Sequence, residues 1–214
     1  MSIVSRVAGA AMLLAGLILL PANGRAAEPS YDDYVTQLKA GKLDIDYTAL
    51  RLAYAASPKY APYGSSMVLA KTMTKAYGAG DCGAAMMHAQ EIFEANFVSI
   101  DAHMVASLCH KKAGNEEGAQ RAYMIVRGLV RSVLKSGDGK SPETAFVVIS
   151  IDEEYKALEA LSLMPGTQSL VSHGGSSFDR LDARKRDSGE PVTLYFNVDR
   201  PHAQLMQTLQ QKKP

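Results

Sequence analysis

The chain reads as an α+β protein, with helical hairpins first and a small, mainly antiparallel sheet with one or two helices after them. Three observations lead there. Residues up to about 135 show apolar positions at helical spacing, broken by Gly and capped by Ser, Asp or Asn. A turn-rich stretch, "SGDGKSPET", then interrupts the pattern. Beyond it, "PVTLYFNVD" alternates, with Val192, Leu194, Phe196 and Val198 on one face and Thr193, Tyr195, Asn197 and Asp199 on the other. Helices in one half and strands in the other give the α+β order. The expected organisation is a signal segment (1–26), a helical region (27–136) and a small α+β region (137–214) packed on it as one unit.

The N-terminus has the order of a secretory signal. Arg6 precedes an apolar run from Val7 to Leu20, Pro21 ends it, and Gly24 and Ala26 favour cleavage after Ala26. A run of about 14 residues is short of the ~20 needed to span a bilayer. No Cys follows the run to carry a lipid. An exported protein, periplasmic or secreted, with no stable membrane span after cleavage, is expected. Cleavage removes Arg6 and Arg25 and leaves 21 basic against 22 acidic residues. A near-neutral chain has no overall field to hold nucleic acid. Hydrophobic residues make up 47% of the chain and there is no Trp, so the core must be built from Ala, Leu, Val and Met.

The helices follow in order. "SYDDYVTQLKAG" opens on a Ser-x-x-Asp cap and stops at Gly41. "DYTALRLAYAAS" stops before Pro58, and "SSMVLAKTMTKAYGAG" starts on Ser and ends on Gly. "AGDCGAA" (79–85) and "AGNEEGA" (113–119) then repeat at an offset of 34 residues. In each, Gly ends one helix, Asp81 or Asn115 caps the next, and a small Ala lets two helices approach. Period and pattern resemble tetratricopeptide repeats. The signature is missing one period earlier, so one or two hairpins are expected and not a long superhelix. Plain helical hairpins are the competing reading. Glu116 to Lys135 carries the clearest apolar stripe, from Ala119 to Val133. Arg127, Arg131 and Lys135 form a basic ridge beside it, read as a solvated face, with an anionic partner as the sharper alternative.

After the turn, "TAFVVISI" reads as a buried strand and "DEEYKALEALSL" as a helix. "TQSLVSH" and "SFDRLDARKRD" read as strands joined at "GGS", and "HAQLMQTLQQ" as a terminal helix.

The tempting chemistry dissolves on inspection. "GKS" at 139–141 ends like a phosphate-binding loop, but the position five before Gly139 is Leu134, and the loop runs from helix to strand rather than strand to helix. Cys82 and Cys109 fall at ends of successive helices that meet if the hairpin turns near Asn96 to Ser99; a disulfide is expected, closing a loop that stabilises by ~3.5 kcal/mol. A metal held by His88, His103 and His110 is the rival, but no close Cys-x-x-Cys or His-x-x-x-His ligand pair exists. No metal, cofactor or catalytic residue is assigned. The acids at 152–154 start a helix, where the dipole favours them.

Four blocks, "DYTALRLAYAASPKYAPYG", "LKSGDGKSPETAFVVISIDEEYKAL", "TQSL" and "LYFNVDRPHAQL", together resemble a family of exported bacterial proteins known as a domain of unknown function. The resemblance runs from Tyr31 to Leu205 and departs at Pro201-His202, where Pro-Phe is expected. It implies a bacterial source and one integrated unit, and carries no activity or site residue. The expected function is therefore a non-catalytic exported module that binds an envelope protein or a peptide. The alternative is a small cell-envelope enzyme, such as a hydrolase, with two or more of Asp152, Glu154, His173, Asp179 and Tyr195 gathered in a cleft near the sheet. An envelope stress or immunity-type factor is a third reading.

Overall fold

The computed structural model describes residues 28–211, so the expected signal segment lies outside the described residues. Six helices come first: α1 (Tyr31–Lys39), α2 (Tyr47–Ala56), α3 (Ser65–Gly78), α4 (Cys82–Ala95), α5 (Ile100–Lys112) and α6 (Glu116–Leu134). Five of the six starts follow Ser, Asp or Asn caps, whereas α3 starts after Gly64, which supplies no side-chain cap. Ser30 Oγ accepts from the Asp33 amide while Asp33 accepts from the Ser30 amide, a reciprocal capping box. Asp46 caps α2 by accepting from the amides of Thr48 and Ala49.

The 34-residue pattern marks two equivalent turns. Gly80 and Gly114 adopt φ of +82° and +72°, a conformation that residues with a Cβ rarely take. Asp81 and Asn115 then accept from the amides of Ala84 and Gly118. Ala85 and Ala119 are buried where α3 meets α4 and α5 meets α6.

The second half holds β1 (Phe146–Val147), α7 (Ile151–Ala160), β2 (Leu163–His173), β3 (Ser176–Lys185), β4 (Pro191–Asn197) and α8 (Asp199–Gln211). The sheet order is β1-β4-β3-β2; β1 runs parallel to β4 and the other neighbours are antiparallel. The register puts Asp179, Leu181 and Ala183 of β3 opposite Phe196, Leu194 and Val192 of β4. That face packs with Ala157 and Leu158 of α7 and Val133 of α6. Arg180, Asp182, Thr193 and Tyr195 share the other face.

Two elements differ from expectation. Only Phe146 and Val147 of "TAFVVISI" enter the sheet. Side chains take over the backbone groups further on: Glu153 accepts from the Ile149 amide, and the Tyr60 hydroxyl donates to the Ile149 carbonyl. With those groups satisfied, the segment needs no ladder. The helix expected to reach Leu163 stops at Ala160, because Ser162 turns left-handed at φ +56° and Leu163 begins β2.

The "GKS" stretch is a tight turn beneath the sheet. Gly139 is buried at φ +69°, and a Cβ there would lie 2.5 Å from the Phe146 ring. Its amide donates to the Thr144 carbonyl and its carbonyl accepts from the Tyr195 amide, tying the turn to β4. Asp138 accepts from the Lys140 amide and the Thr144 hydroxyl.

One ion pair joins the halves. Arg51 of α2 and Glu153 of α7 are 1% and 3% exposed. The guanidinium grips the carboxylate through Nε (2.7 Å) and Nη2, and it donates to Ser132 Oγ of α6 and to the Val147 carbonyl. Removing one partner of such a pair strands a buried charge, at a cost of about 3–5 kcal/mol. Arg51→Ala or Glu153→Gln is therefore expected to lower unfolding free energy by that amount in urea. The double change Arg51→Met with Glu153→Leu is expected to cost distinctly less than either single. Equal losses in all three would show that the charges themselves are not what is missed.

Candidate functional site

Of the five residues expected to form a cleft, the structure brings two together. Glu154, the residue after the Arg51 partner, points to the sheet instead of to α2. It is fully buried. Gln168 of β2 donates from Nε2 both to Glu154 Oε2 (3.2 Å) and to Asp179 Oδ2 of β3 (2.7 Å). Tyr155 donates its hydroxyl to Gln168 Oε1. Glu154 Oε1 is buried and has no hydrogen-bond partner among the described residues. Burial first, and then the neighbouring Asp179 carboxylate, push the Glu154 carboxyl up to about 9. It is therefore a neutral acid at pH 7. Partial burial, then Asp179 and Glu154, also raise the phenol of Tyr63.

The other three lie apart. Asp152 is exposed and belongs to the opposite flank of α7, near Asp101, whose carboxylate Lys156 holds at 2.7 Å. His173, at the β2–β3 hairpin, pairs with Glu143 at 2.7 Å on the surface. Tyr195 sits across from Arg180 on the outer sheet face. The acids at 152–154 thus meet three different surroundings: Asp152 faces Asp101, and partial burial first and then that carboxylate raise its own carboxyl, while Glu153 is paired with Arg51 and Glu154 is protonated. Gln168 and Arg51 were not singled out in the sequence. Arg51 had a signal, as the single charge in the apolar run "ALRLAYAA"; Gln168 had none beyond its place in "TQSL".

The cysteines form the expected disulfide, with Cα atoms 5.4 Å apart, joining the start of α4 to the end of α5. Such a bond is favoured in an oxidising compartment. The histidines have separate uses. His103 is buried between Phe93 and Phe97, and its Nε2–H donates to the Phe97 carbonyl at 2.7 Å. Burial lowers it to about 4, so it stays neutral. His88 lies 3.8 Å from Glu91, and His110 meets the side-chain amide of Asn115.

Elsewhere on the molecule, a groove of about 1090 Å³ runs beside α6, between it and the Leu43–Thr48 approach to α2, with parts of α5 and α7 closing it. Ile45, Met104 and Val130 give it apolar surface. Arg127, Arg131 and Lys135, the basic ridge of the sequence, line one side and are exposed. Among the described residues none of the three has a carboxylate partner, whereas Arg121 on the same helix pairs with Glu117 at 2.7 Å. Tyr47 packs so close to α6 that a Cβ at Gly128 would meet its ring at 2.4 Å.

The family model for a Domain of unknown function (DUF4919) matches residues 41–207. The chain belongs to this family. The match takes in all four quoted blocks, the disulfide, the groove and both buried glutamates; α1 lies before it. No curated protein and no solved structure matches the chain.

Two buried groups set a pH dependence. Glu154 titrates near 4.5 unfolded and near 9 folded, so its contribution to stability is complete below pH 4.5 and is lost as pH rises to 9. His103 titrates near 6.5 unfolded and near 4 folded, so its contribution is present above pH 6.5 and is lost as pH falls to 4. The two oppose each other between pH 4.5 and 6.5. From these two groups, stability is expected to be nearly level there and to fall above pH 6.5, by up to about 1.4 kcal/mol per pH unit. Glu154→Gln is expected to abolish the alkaline decline and to uncover an acid limb below pH 6.5. Urea unfolding across pH 4.5 to 9 reads both. The oxidised protein is also expected to show no free thiol when denatured without reductant, and Cys82→Ser with Cys109→Ser to lose about 3.5 kcal/mol.

Proposed function

We propose that the protein is an exported, non-catalytic binding module whose groove beside α6 receives a segment of an envelope protein or a peptide. The observation that carries this reading is the groove: apolar surface flanked by three exposed cations without carboxylate partners among the described residues. Concave, mostly apolar sites with a few placed polar groups are where proteins take ligands. Export is supported by the sequence of the first 26 residues and by the disulfide. The paired helical hairpins, spaced like tetratricopeptide repeats, add to the likeness to a binding scaffold.

The alternative, a small envelope hydrolase, draws on Glu154 and Asp179, a neutral acid beside a carboxylate, which is the pairing general acid–base work requires. Against it, Glu154 is 0% exposed and Gln168 stands between the two acids. A substrate would reach the Glu154 carboxyl only through a local opening of this buried cluster.

The test is capture of partners from periplasmic extract on the immobilised mature protein. A specific partner is expected with the native protein and with Glu154→Gln, and not with Arg127→Glu/Arg131→Glu/Lys135→Glu. No captured partner, together with hydrolytic turnover that Glu154→Gln abolishes, would reverse the ranking in favour of the enzyme.

A further inference from the structure

Resting on that binding reading, we propose that the occupant of the groove is an acidic amphipathic helix of a partner protein, laid along α6. The cations follow each other at four-residue steps, Arg127 and Arg131 on α6 and Lys135 at its C-cap. At 1.5 Å per residue they stand about 6 Å apart along its axis. A second helix alongside repeats that spacing when it carries Asp or Glu at i, i+4 and i+8. Its neighbouring i+3 and i+7 positions then form an apolar stripe against Ile45, Met104 and Val130. Methionines suit this, because an unbranched thioether adapts to differently shaped partners. Met124 adds a second one to the lining.

Size favours a helix over an extended strand. A helix about 10–12 Å across and nine residues long, enough to carry acids at i, i+4 and i+8, fills roughly 1300 Å³. An extended strand of the same length, about 4.8 Å by 10 Å in section, fills roughly half that. The groove holds about 1090 Å³.

The opposite wall sets how the guest helix is rotated. Asp46 is engaged in capping α2, and Lys156 holds Glu159 at 3.1 Å. Asp44 is exposed and has no cation partner among the described residues. Acids on the guest's second flank would face it, so that flank is neutral or basic. The groove therefore takes a helix with one acidic edge, an apolar stripe and a non-acidic second edge.

The probe is a displayed library of short helical peptides with every arrangement of acidic and apolar positions, mixed with proline-containing extended peptides and selected on the oxidised mature protein. Enrichment of helices with acids at i, i+4 and i+8 beside an apolar stripe is expected. Their affinity is expected to fall at least about tenfold on Arg127→Glu/Arg131→Glu/Lys135→Glu, as the loss of three exposed ion pairs implies, and to weaken with added salt. Circular dichroism checks that the variant keeps its fold; Asp44→Lys, which leaves the rail intact, is expected to admit helices acidic on both edges. Enrichment of extended or basic peptides, no enrichment at all, or affinity unchanged in the charge-reversed variant overturns the proposal. So does rail-dependent binding to phosphatidylglycerol vesicles with no peptide selected, which would make the cations a membrane contact. A natural partner still captured by the charge-reversed protein would leave the binding reading standing and remove only the helix in the groove.

Discussion

The buried Arg51–Glu153 pair is the constraint that the rest of the structure accommodates. A guanidinium with 1% exposure must place its donors on protein atoms, and they come from three directions: the Glu153 carboxylate on α7, the Ser132 hydroxyl on α6 and the Val147 carbonyl beside the sheet. Each acceptor is itself held. Ser132 donates to the Leu129 carbonyl, and Glu153 accepts from the Ile149 amide. A shift of any one element would leave a charge or a backbone group unsatisfied at a cost of several kcal/mol. An apolar contact at the same place would favour proximity but tolerate sliding. The ionic cluster does not tolerate sliding, so it selects one arrangement of α2, α6 and α7 whether or not it adds net stability.

The same pair explains the unusual chemistry next to it. Successive residues on a helix point about 100° apart. Glu153 therefore meets α2 while Glu154 meets the sheet. Arg51 answers the first charge. Among the described residues no cation pairs with the second, and Asp179 lies on the core-facing side of β3 where Leu181 and Ala183 continue the row. A protonated Glu154 is the solution open to it. Gln168 then serves both acids through a single amide nitrogen, which ties the β2 edge of the sheet to α7 by polar contacts.

Much of this was legible in the sequence, and what was not has a common cause. Caps, glycine turns and strand alternation are local: Ser30 and Asp33, Gly80 and Asp81, or the row from Val192 to Phe196 announce themselves within a few residues. So did the meeting of Cys82 and Cys109, because a hairpin fixes its own ends. The misread elements are those whose backbone is satisfied from far away. "TAFVVISI" has the composition of a strand, yet Tyr60 and Glu153 take its hydrogen bonds, and only a tertiary partner could reveal that. Residues 152–154 looked like one cluster at a helix start. Their three different fates depend on what faces each side of α7, which periodicity within the segment does not contain. The basic ridge was visible as a ridge; its opposite wall, some 80 residues earlier in the chain at Leu43–Thr48, was not.

That wall is held by the same network. Tyr47 lies against Gly128, and one turn further along α2 Arg51 is fastened to Ser132, one turn further along α6. The two helices are thus fixed at two successive points, one a close van der Waals contact and the other a buried hydrogen bond. Arg127 and Arg131 each sit immediately beside one of those points, at positions 128 and 132, but on the exposed side of α6. Their backbone positions are consequently fixed by the core even though their side chains stand in solvent. α7, which closes the groove through Lys156 and Glu159, is anchored by Glu153 of the same cluster. A groove whose walls are pinned in this way loses little conformational entropy when a ligand enters. Three exposed cations are each worth little alone. Held at regular spacing on a rigid wall, they would act together on the acidic edge proposed for the guest helix.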